Sequence, residues 1–412
     1  MYVFSIILQI LFFIFGAYYF TVSLFAWFKR RERPILTDKT HTFALVVAAH
    51  NEEAVIENMV ESLKRLNYPK ESYDIFVIAD NCTDPTAEIA RKAGANVYER
   101  ESEDKRGKGY ALEWMFQKIF ALDKHYDAVA VFDADNVVHP EFLNAMNHRM
   151  QQGYKVVQGY IDSKNPFDSW ITSAYTISFW SINKLFQYSR FNLGLPCQLC
   201  GTGFVVDTEV LKKIGWQATC LTEDMEFTMR LVLNDYSVAY AEDAVIYDEK
   251  PLTFGQSWKQ RIRWMQGQTD VASRFVPSLI KKAFKEHKWS PIDCAVYLLQ
   301  PVRILIMGFI TLMCWLQTAY PNGDIGFFQI SYIFPNAFLW YLFVIAQFLY
   351  TPLVIWIEKR QLSWKLIFSY LTYFIYSLTW VPITVVGIIN KNKKEWSHTQ
   401  HTRKISIEEL NN

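Results

Sequence analysis

The sequence predicts an α/β fold, a mainly parallel sheet with flanking helices, joined to transmembrane and interfacial helices. Two observations carry this. Apolar β-rich runs alternate with helical patterns from about residue 40 to 250, as parallel strands with crossover helices do. Uncharged apolar runs long enough to span a bilayer stand on either side of that region.

The first such run is residues 3–28, "VFSIILQILFFIFGAYYFTVSLFAWF". It is too long for a secretory signal, with no basic segment before it and no small-residue cleavage site after it. "KRRER" follows, which puts that end in the cytoplasm. Residues 1–30 are therefore expected to be one transmembrane helix.

The middle, 40–250, is expected to be a cytoplasmic α/β domain. "TFALVVAAH" reads as a strand, and "NEEAVIENMVESLKRL" as a helix with Val55, Met59, Leu63 and Leu66 on one face. "YDIFVIAD", "ANVYER" and "DAVAVFDAD" are further strands, separated by the helices "PTAEIARKAG", closed by Gly94, and "GYALEWMFQKIFAL". In such sheets ligands bind beyond the C-terminal strand ends. Three polar clusters fall there: His50-Asn51-Glu52-Glu53, Asp80 to Asp84, and Asp133-Ala134-Asp135-Asn136.

Two later segments mix aromatics with polar residues. In 166–190, Ile171, Tyr175, Phe179, Ile182 and Phe186 share a helical face. In 254–268, Trp258, Ile262 and Met265 alternate with basic residues. Both suit the headgroup plane of a bilayer, and 251–290 is read as interfacial. Residues 291–390 form a C-terminal membrane region with spans near 294–320, 327–357 and 366–390, the last interrupted by Pro382. "EKR" after 357 marks the cytoplasm. Counting spans sends residue 390 outside, whereas the following "KNKK" prefers the inside. A broken or re-entrant segment reconciles the two. The basic polar tail, 391–412, is then cytoplasmic.

Composition excludes one class of partner. A net charge of +1 gives no basic field for nucleic acid. Of six cysteines only Cys197 and Cys200 form a CxxC; without a second pair, packing is the favoured reading.

Asp133 and Asp135 lie on one side of an extended chain, where two carboxylates repel. A hard cation, Mg²⁺ or Mn²⁺, would remove the repulsion and hold a diphosphate. Asp80 can accept the imide N–H of uracil, or simply make an Asx turn with Asn81. Lys108, in "KRGKGY", offers a cation to phosphate, or belongs to a plain turn. Thr222 is a natural N-cap with Glu223 and Asp224 in the first turn; functionally, Asp224 or Glu223 is a general base. Gln260, Arg263 and Trp264 share one helix side, with Arg263 suited to a diphosphate and Trp264 to a sugar ring.

Over residues 40–270 the chain resembles the family 2 glycosyltransferases with a GT-A fold. It is most similar to the membrane-embedded processive branch of cellulose, hyaluronan and poly-N-acetylglucosamine synthases. Asp80 in "ADNCTD", "DAD" at 133–135, "TED" at 222–224 and "QRIRW" at 260–264 come in that branch's order. "CGTGF" at 200–204 looks like its acceptor-site stretch, with Gly201 and Thr202 at substrate. The resemblance implies Asp80 on uridine, Asp133 and Asp135 around metal, and Asp224 as base beside Glu223. It implies Asn51, Glu52, Asp133, Lys108, Gln260, Arg263 and Trp264 around the rest of donor and acceptor. The implied reaction is inverting transfer from a UDP-sugar, UDP-GlcNAc or UDP-Glc, to a growing β-linked cell-surface polysaccharide. Transfer to a membrane lipid is the alternative. A non-catalytic scaffold with a relict domain is the third reading, and the intact motifs argue against it. One departure is Ala79, where the family's usual "DDGSTD" has an aspartate. Another is the small number of C-terminal spans, which leaves an accessory membrane subunit or a homo-oligomer to complete a channel. The expected location is the cell membrane, multi-pass.

Overall fold

A computed structural model describes the chain apart from residues 1, 31, 218, 321–349, 351–355, 357–363, 394–400, 402, 406, 411 and 412. Helix α1 (Tyr2–Leu24) is the uncharged N-terminal run. The predicted alternation follows it: β1 (Phe43–Ala49), α2 (Ile56–Lys64), β2 (Tyr73–Asp80), α3 (Thr86–Lys92), β3 (Asn96–Arg100), α4 (Lys108–Phe120) and β4 (Ala128–Asp133). Then come β5 (Val137–Val138), α5 (Phe142–Gln151), β6 (Val156–Ser163), α6 (Trp170–Ser181), a π-helical segment Ile182–Tyr188 and α7 (Ser189–Leu193). The domain closes with β7 (Phe204–Asp207), α8 (Thr208–Ile214), α9 (Glu223–Leu233) and β8 (Val238–Asp248).

These strands form one sheet in the order β3-β2-β1-β4-β7-β6-β8-β5. From β3 to β4 every pairing is parallel. β7 runs antiparallel to both β4 and β6, and β5 to β8, while β6 and β8 are parallel. The sheet is thus parallel where the sequence alternates regularly and mixed beyond it. β1 is buried along nearly its whole length, as a strand covered by helices on both faces must be.

Helix α10 (Phe254–Glu286) opens on a capping box between Thr253 and Gln256 and carries "QRIRW". It packs against α9, against α11 (Trp289–Leu298) and against the late helix Trp380–Ile389. The expected span at 294–320 is shifted. Cys294, Ala295 and Leu298 pack with Met229, Val271 and Leu279 inside the protein, and a new helix, α12 (Gln300–Ala319), begins with Pro301 in its first turn. Proline fits there because the N–H it lacks would be unpaired anyway. The expected span at 327–357 lies outside the described residues, except for Tyr350 and Trp356.

Residues 366–390 form two helices, Trp364–Leu378 and Trp380–Ile389, broken at Thr379. Pro382 causes the break three residues earlier, because its missing N–H leaves the preceding turn unpaired. The buried Arg261 fills the gap, donating to Thr379 Oγ1 at 2.7 Å and to the Tyr376 carbonyl at 3.4 Å. Trp364, Phe368, Leu371 and Ile375 are exposed along one face of the first helix. Tyr373 and Tyr376, on another face, meet Ser178 and Tyr175 of α6. Val3–Trp27, Gln300–Gln317 and Ile367–Ile389 are each long and apolar enough to cross a membrane.

One further expectation changes. In the stripe on α6, Ile171 and Tyr175 are fully buried against Tyr376, so much of that face is packed on protein rather than turned to lipid. The exposed aromatics are instead Phe167 and Trp170, the latter stacked on Phe254 at 6.2 Å. Described residues of the tail pack on the rest of the protein. Arg403 N donates to Glu249, Lys164 Nζ donates to the Arg403 carbonyl, Ile407 is buried and Glu408 pairs with Arg65.

Candidate active site

The C-terminal ends of β1, β2 and β4 open into a cavity of about 300 Å³. Its lining includes Glu52, Asp80, Lys108, Asp133, Asp135, Gly201, Thr202, Glu223, Asp224, Gln260, Arg263 and Trp264. Asn51 is not in the lining. Its backbone is left-handed (φ 54°), and its Oδ1 accepts from Thr83 N at 2.7 Å, so it shapes the neighbouring loop.

At one end, Asp80 is buried at the tip of β2. Arg100, the last residue of β3, pairs with its Oδ1, which also accepts from Asn81 Nδ2 at 3.1 Å. Among the described residues no hydrogen bond reaches Asp80 Oδ2.

β4 stops at Asp133, where Asn136 N donates to the Asp133 carbonyl at 3.2 Å. The alternation argument for Asp133 and Asp135 therefore fails, and a turn brings both into the cavity. Each carboxylate has its own cation. Lys108 pairs with Asp133 and also donates to the Gly201 carbonyl at 2.7 Å. His401 lies with Nε2 3.6 Å from Asp135 Oδ2 and Nδ1 2.9 Å from Glu52 Oε1. Burial pushes the Asp135 carboxyl up to about 8, against the pull of His401. Burial opposes charge on His401 too, but Asp135 and Glu52 outweigh it and hold the imidazole up at about 10. Thr202 lines the cavity with its hydroxyl committed, accepting from Asp133 N at 3.1 Å and bonded to Asn136.

Across the cavity α9 begins at Glu223. Thr222 occupies the N-cap position, but its side chain makes no capping bond. It is pressed against α10 instead, where a Cβ on Gly267 would overlap its Oγ1 and Cγ2. Burial raises both carboxyls, and Glu223, further raised by Asp224, reaches about 7. Lys108 and Arg263 pull the other way on both. Gly201, at φ +81°, has its Cα side so close to Asp224 that a Cβ would stand 3.5 Å from Oδ2. On α10, Gln260 Oε1 is buried with no hydrogen-bond partner among the described residues, and Trp264 leans on Tyr175 at 5.9 Å.

Sequence reasoning missed three contributors, His401, Asp248 and Glu249. His401 gives no signal, being one of two histidines in a polar tail. Asp248 and Glu249 also line the cavity, and Asp248 accepts from Asn136 Nδ2 at 3.0 Å. The strand-end rule could have found them, since β8 ends there. Among the described residues no three His, Cys, Asp or Glu side chains already stand grouped to hold a metal ion. Cys197 and Cys200 are free thiols, Cys197 buried and Cys200 half-buried.

A cavity with paired buried carboxylates flanked by Lys108 and Arg263 can hold a charged donor and accept a proton. The family model described as "Glycosyltransferase like family 2" matches residues 41–267. The chain belongs to this family. Among family 2 relatives is the probable glycosyltransferase YdaM of Bacillus subtilis (strain 168), 24% identical over 381 residues, covering 87% of this chain and 86% of the relative. The beta-monoglucosyldiacylglycerol synthase of Nostoc sp. is 30% identical over 54% of this chain and 48% of its own. The poly-beta-1,6-N-acetyl-D-glucosamine synthase of Staphylococcus epidermidis is 28% identical over 65% and 66%. The chain thus spans about half the length of the second and two thirds of the third. Its fold is that of the GT-A glycosyltransferases. The mannosyltransferase PcManGT from Pyrobaculum calidifontis, solved with GDP-Man and Mn²⁺, superposes with a TM-score of 0.63 at 16% identity, covering 94% of this chain and 97% of that one.

Proposed function

We propose that this family 2 glycosyltransferase is an inverting membrane enzyme that moves a sugar from UDP-GlcNAc or UDP-Glc to a growing β-linked polysaccharide. The carrying observation is that Asp80, Asp133, Asp135, Asp224 and the Gln260-Arg263-Trp264 face all meet in one cavity. That convergence also argues against a relict scaffold.

Asp80 Oδ2 accepts the uracil imide, and Lys108 and Arg263 meet the diphosphate. Asp133 and Asp135 are hard oxygen donors that suit Mg²⁺ or Mn²⁺. When bound, the ion neutralises charge on the leaving diphosphate. Asp224 takes the proton of the acceptor hydroxyl as that oxygen attacks the anomeric carbon and the bond to UDP breaks. Configuration inverts without a covalent sugar–enzyme intermediate. Gln260 Oε1 receives an acceptor hydroxyl, and Trp264 offers its face to the sugar ring.

In this reading α1 and α12 cross the bilayer, with residues 40–250 on the cytoplasmic side, where "KRRER" stands. The helix Trp364–Leu378, apolar on one face and seated on α6 by another, lies in the interface. A second copy or an accessory subunit completes the export path. Transfer to a membrane lipid is the second reading, favoured by the likeness to the Nostoc diacylglycerol glucosyltransferase. The test is purified protein in phospholipid vesicles with Mg²⁺ and a panel of UDP-sugars, the products separated by size. Polymer supports the first reading and a single-sugar lipid the second. No transfer from any UDP-sugar refutes both.

A further inference from the structure

The loop between α7 and β7 has no regular secondary structure, yet Leu195, Cys197, Gln198, Leu199 and Thr202 are all buried. Buried backbone groups must find partners. Backbone groups serve some, as where Cys197 N donates to the Val238 carbonyl at 2.9 Å, and two side-chain amides serve others. Gln158, on β6, donates through Nε2 to the carbonyls of Thr202 at 2.9 Å and Gly203 at 3.2 Å. Its Oε1 accepts from Cys200 N at 2.9 Å. β7 pairs with β6 only up to Gln158 opposite Phe204, so this side chain takes over where the ladder ends.

Gln187, on the π-helical segment, holds the loop from the other side. Its Oε1 accepts from Gln198 N at 3.0 Å and its Nε2 donates to Gln198 O at 2.7 Å, the two-bond exchange of a β-bridge made by a side chain. Nε2 also meets Cys200 Sγ at 3.3 Å. Gln158 and Gln187 are 0% and 1% exposed, so water offers neither amide an alternative. Wide π turns are rare and recur at functional sites. Here the turn buries Asn183 along with Gln187. Asn183 ties the segment to β6 through Ile161 O at 2.9 Å, and Gln187 ties it to the loop.

The far end of the loop abuts the carboxylates, with Gly201 beside Asp224 and its carbonyl on Lys108. Neither glutamine lines the cavity, so each acts through the loop. We propose that Gln158 and Gln187 are positioning residues for the acceptor, holding Cys200-Gly201-Thr202 at the spacing from Asp224 that an acceptor hydroxyl requires. This rests on reading Gly201 and Thr202 as the acceptor wall and Asp224 as the base. A shift of about 1 Å in such a wall can cost about 10²-fold in rate.

The test compares Gln187→Glu, Gln187→Met and Gln158→Glu with wild type in phospholipid vesicles containing diacylglycerol, using UDP-GlcNAc and UDP-Glc. Sugar in polymer or lipid is measured against free sugar from hydrolysis, with UDP affinity measured separately. The transferred fraction should fall by about tenfold or more, while UDP affinity and hydrolysis by water hold. Asn183→Asp, on the same π segment but bonded to β6, should keep the wild-type ratio. An unchanged ratio in the glutamine variants that fold overturns the positioning role. So does a parallel loss of UDP affinity, or an equal loss in Asn183→Asp. A wild type that transfers from no UDP-sugar overturns the functional reading itself, which separates the two failures.

Discussion

The His401 imidazole lies 3.6 Å from the Asp135 carboxylate, bringing the chain's tail onto the turn after β4. An imidazolium there occupies electrostatically the place a divalent cation would take. Activity should therefore need Mg²⁺ or Mn²⁺ and stop in excess chelator. Asp135→Asn should leave the protein folded but abolish transfer. His401→Ala should raise Mn²⁺ affinity, read by titration calorimetry in the presence of UDP, because it removes a competing positive charge from Asp135. Full activity in chelator would remove the metal assignment, and unchanged or lowered Mn²⁺ affinity in His401→Ala would remove the competition.

The buried pair Glu223 and Asp224 sets the pH response. Lys108 and Arg263 stabilise its charged form, Cys200 and Tyr297 stand near Asp224, and burial raises both carboxyls, Glu223 to about 7. Below that pH the pair holds a proton and the base is lost; above it the carboxylates are free. Turnover should thus rise with pH through about 7 and level off. Asp224→Asn should lower turnover by at least about 10² with UDP affinity kept. Joint loss of UDP binding would point to a structural role.

The strands and crossover helices were legible because buried runs and 3.6-residue faces are local patterns: β2 spans Tyr73–Asp80, matching "YDIFVIAD" residue for residue. The elements that misread depend on partners distant in sequence. Thr222 has the chemistry of an N-cap, but Gly267 presses on it. Ile171 and Tyr175 form an apolar stripe whose partner, Tyr376, is a late helix rather than lipid. His401 carries no local signal, because only the fold brings Asp135 and Glu52 to it.

Gly267 sets how closely α10 approaches the Thr222-Glu223-Asp224 turn. Any Cβ there overlaps Thr222, so Gly267→Ala should destabilise by about 1–3 kcal/mol, the usual range for overpacking. Turnover should fall as Gln260 and Arg263 move away from Asp224. Thermal melting and steady-state kinetics read the two effects. A variant as stable and active as wild type would mean the helices separate freely.

Two ends of the chain seat on the catalytic domain: Arg30 donates to the Phe191 carbonyl at 2.9 Å, and Arg403 N donates to Glu249. In a variant without native cysteines, single cysteines at Arg30 and Lys404 should resist impermeant thiol reagents applied outside cells, and one at Asn322 should react. The reverse pattern would separate the catalytic domain from cytosolic UDP-sugars.

Processivity is the last test. A processive enzyme must keep the grown chain beside the donor after each addition, and an aromatic face does so without reading the sugar's identity. Trp264 packs on Tyr175 at 5.9 Å, one α-helical turn from Gln260, and is the residue proposed for this task. Trp264→Ala should therefore shorten or abolish polymer while hydrolysis of the UDP-sugar by water, which needs no acceptor, continues near the wild-type rate. Product length by gel filtration and free sugar by chromatography measure the two. If hydrolysis falls together with polymer, Trp264 serves the donor, not the acceptor. If the wild type gives only a single-sugar lipid at every donor concentration, the acceptor is the lipid and the aromatic face holds its headgroup sugar.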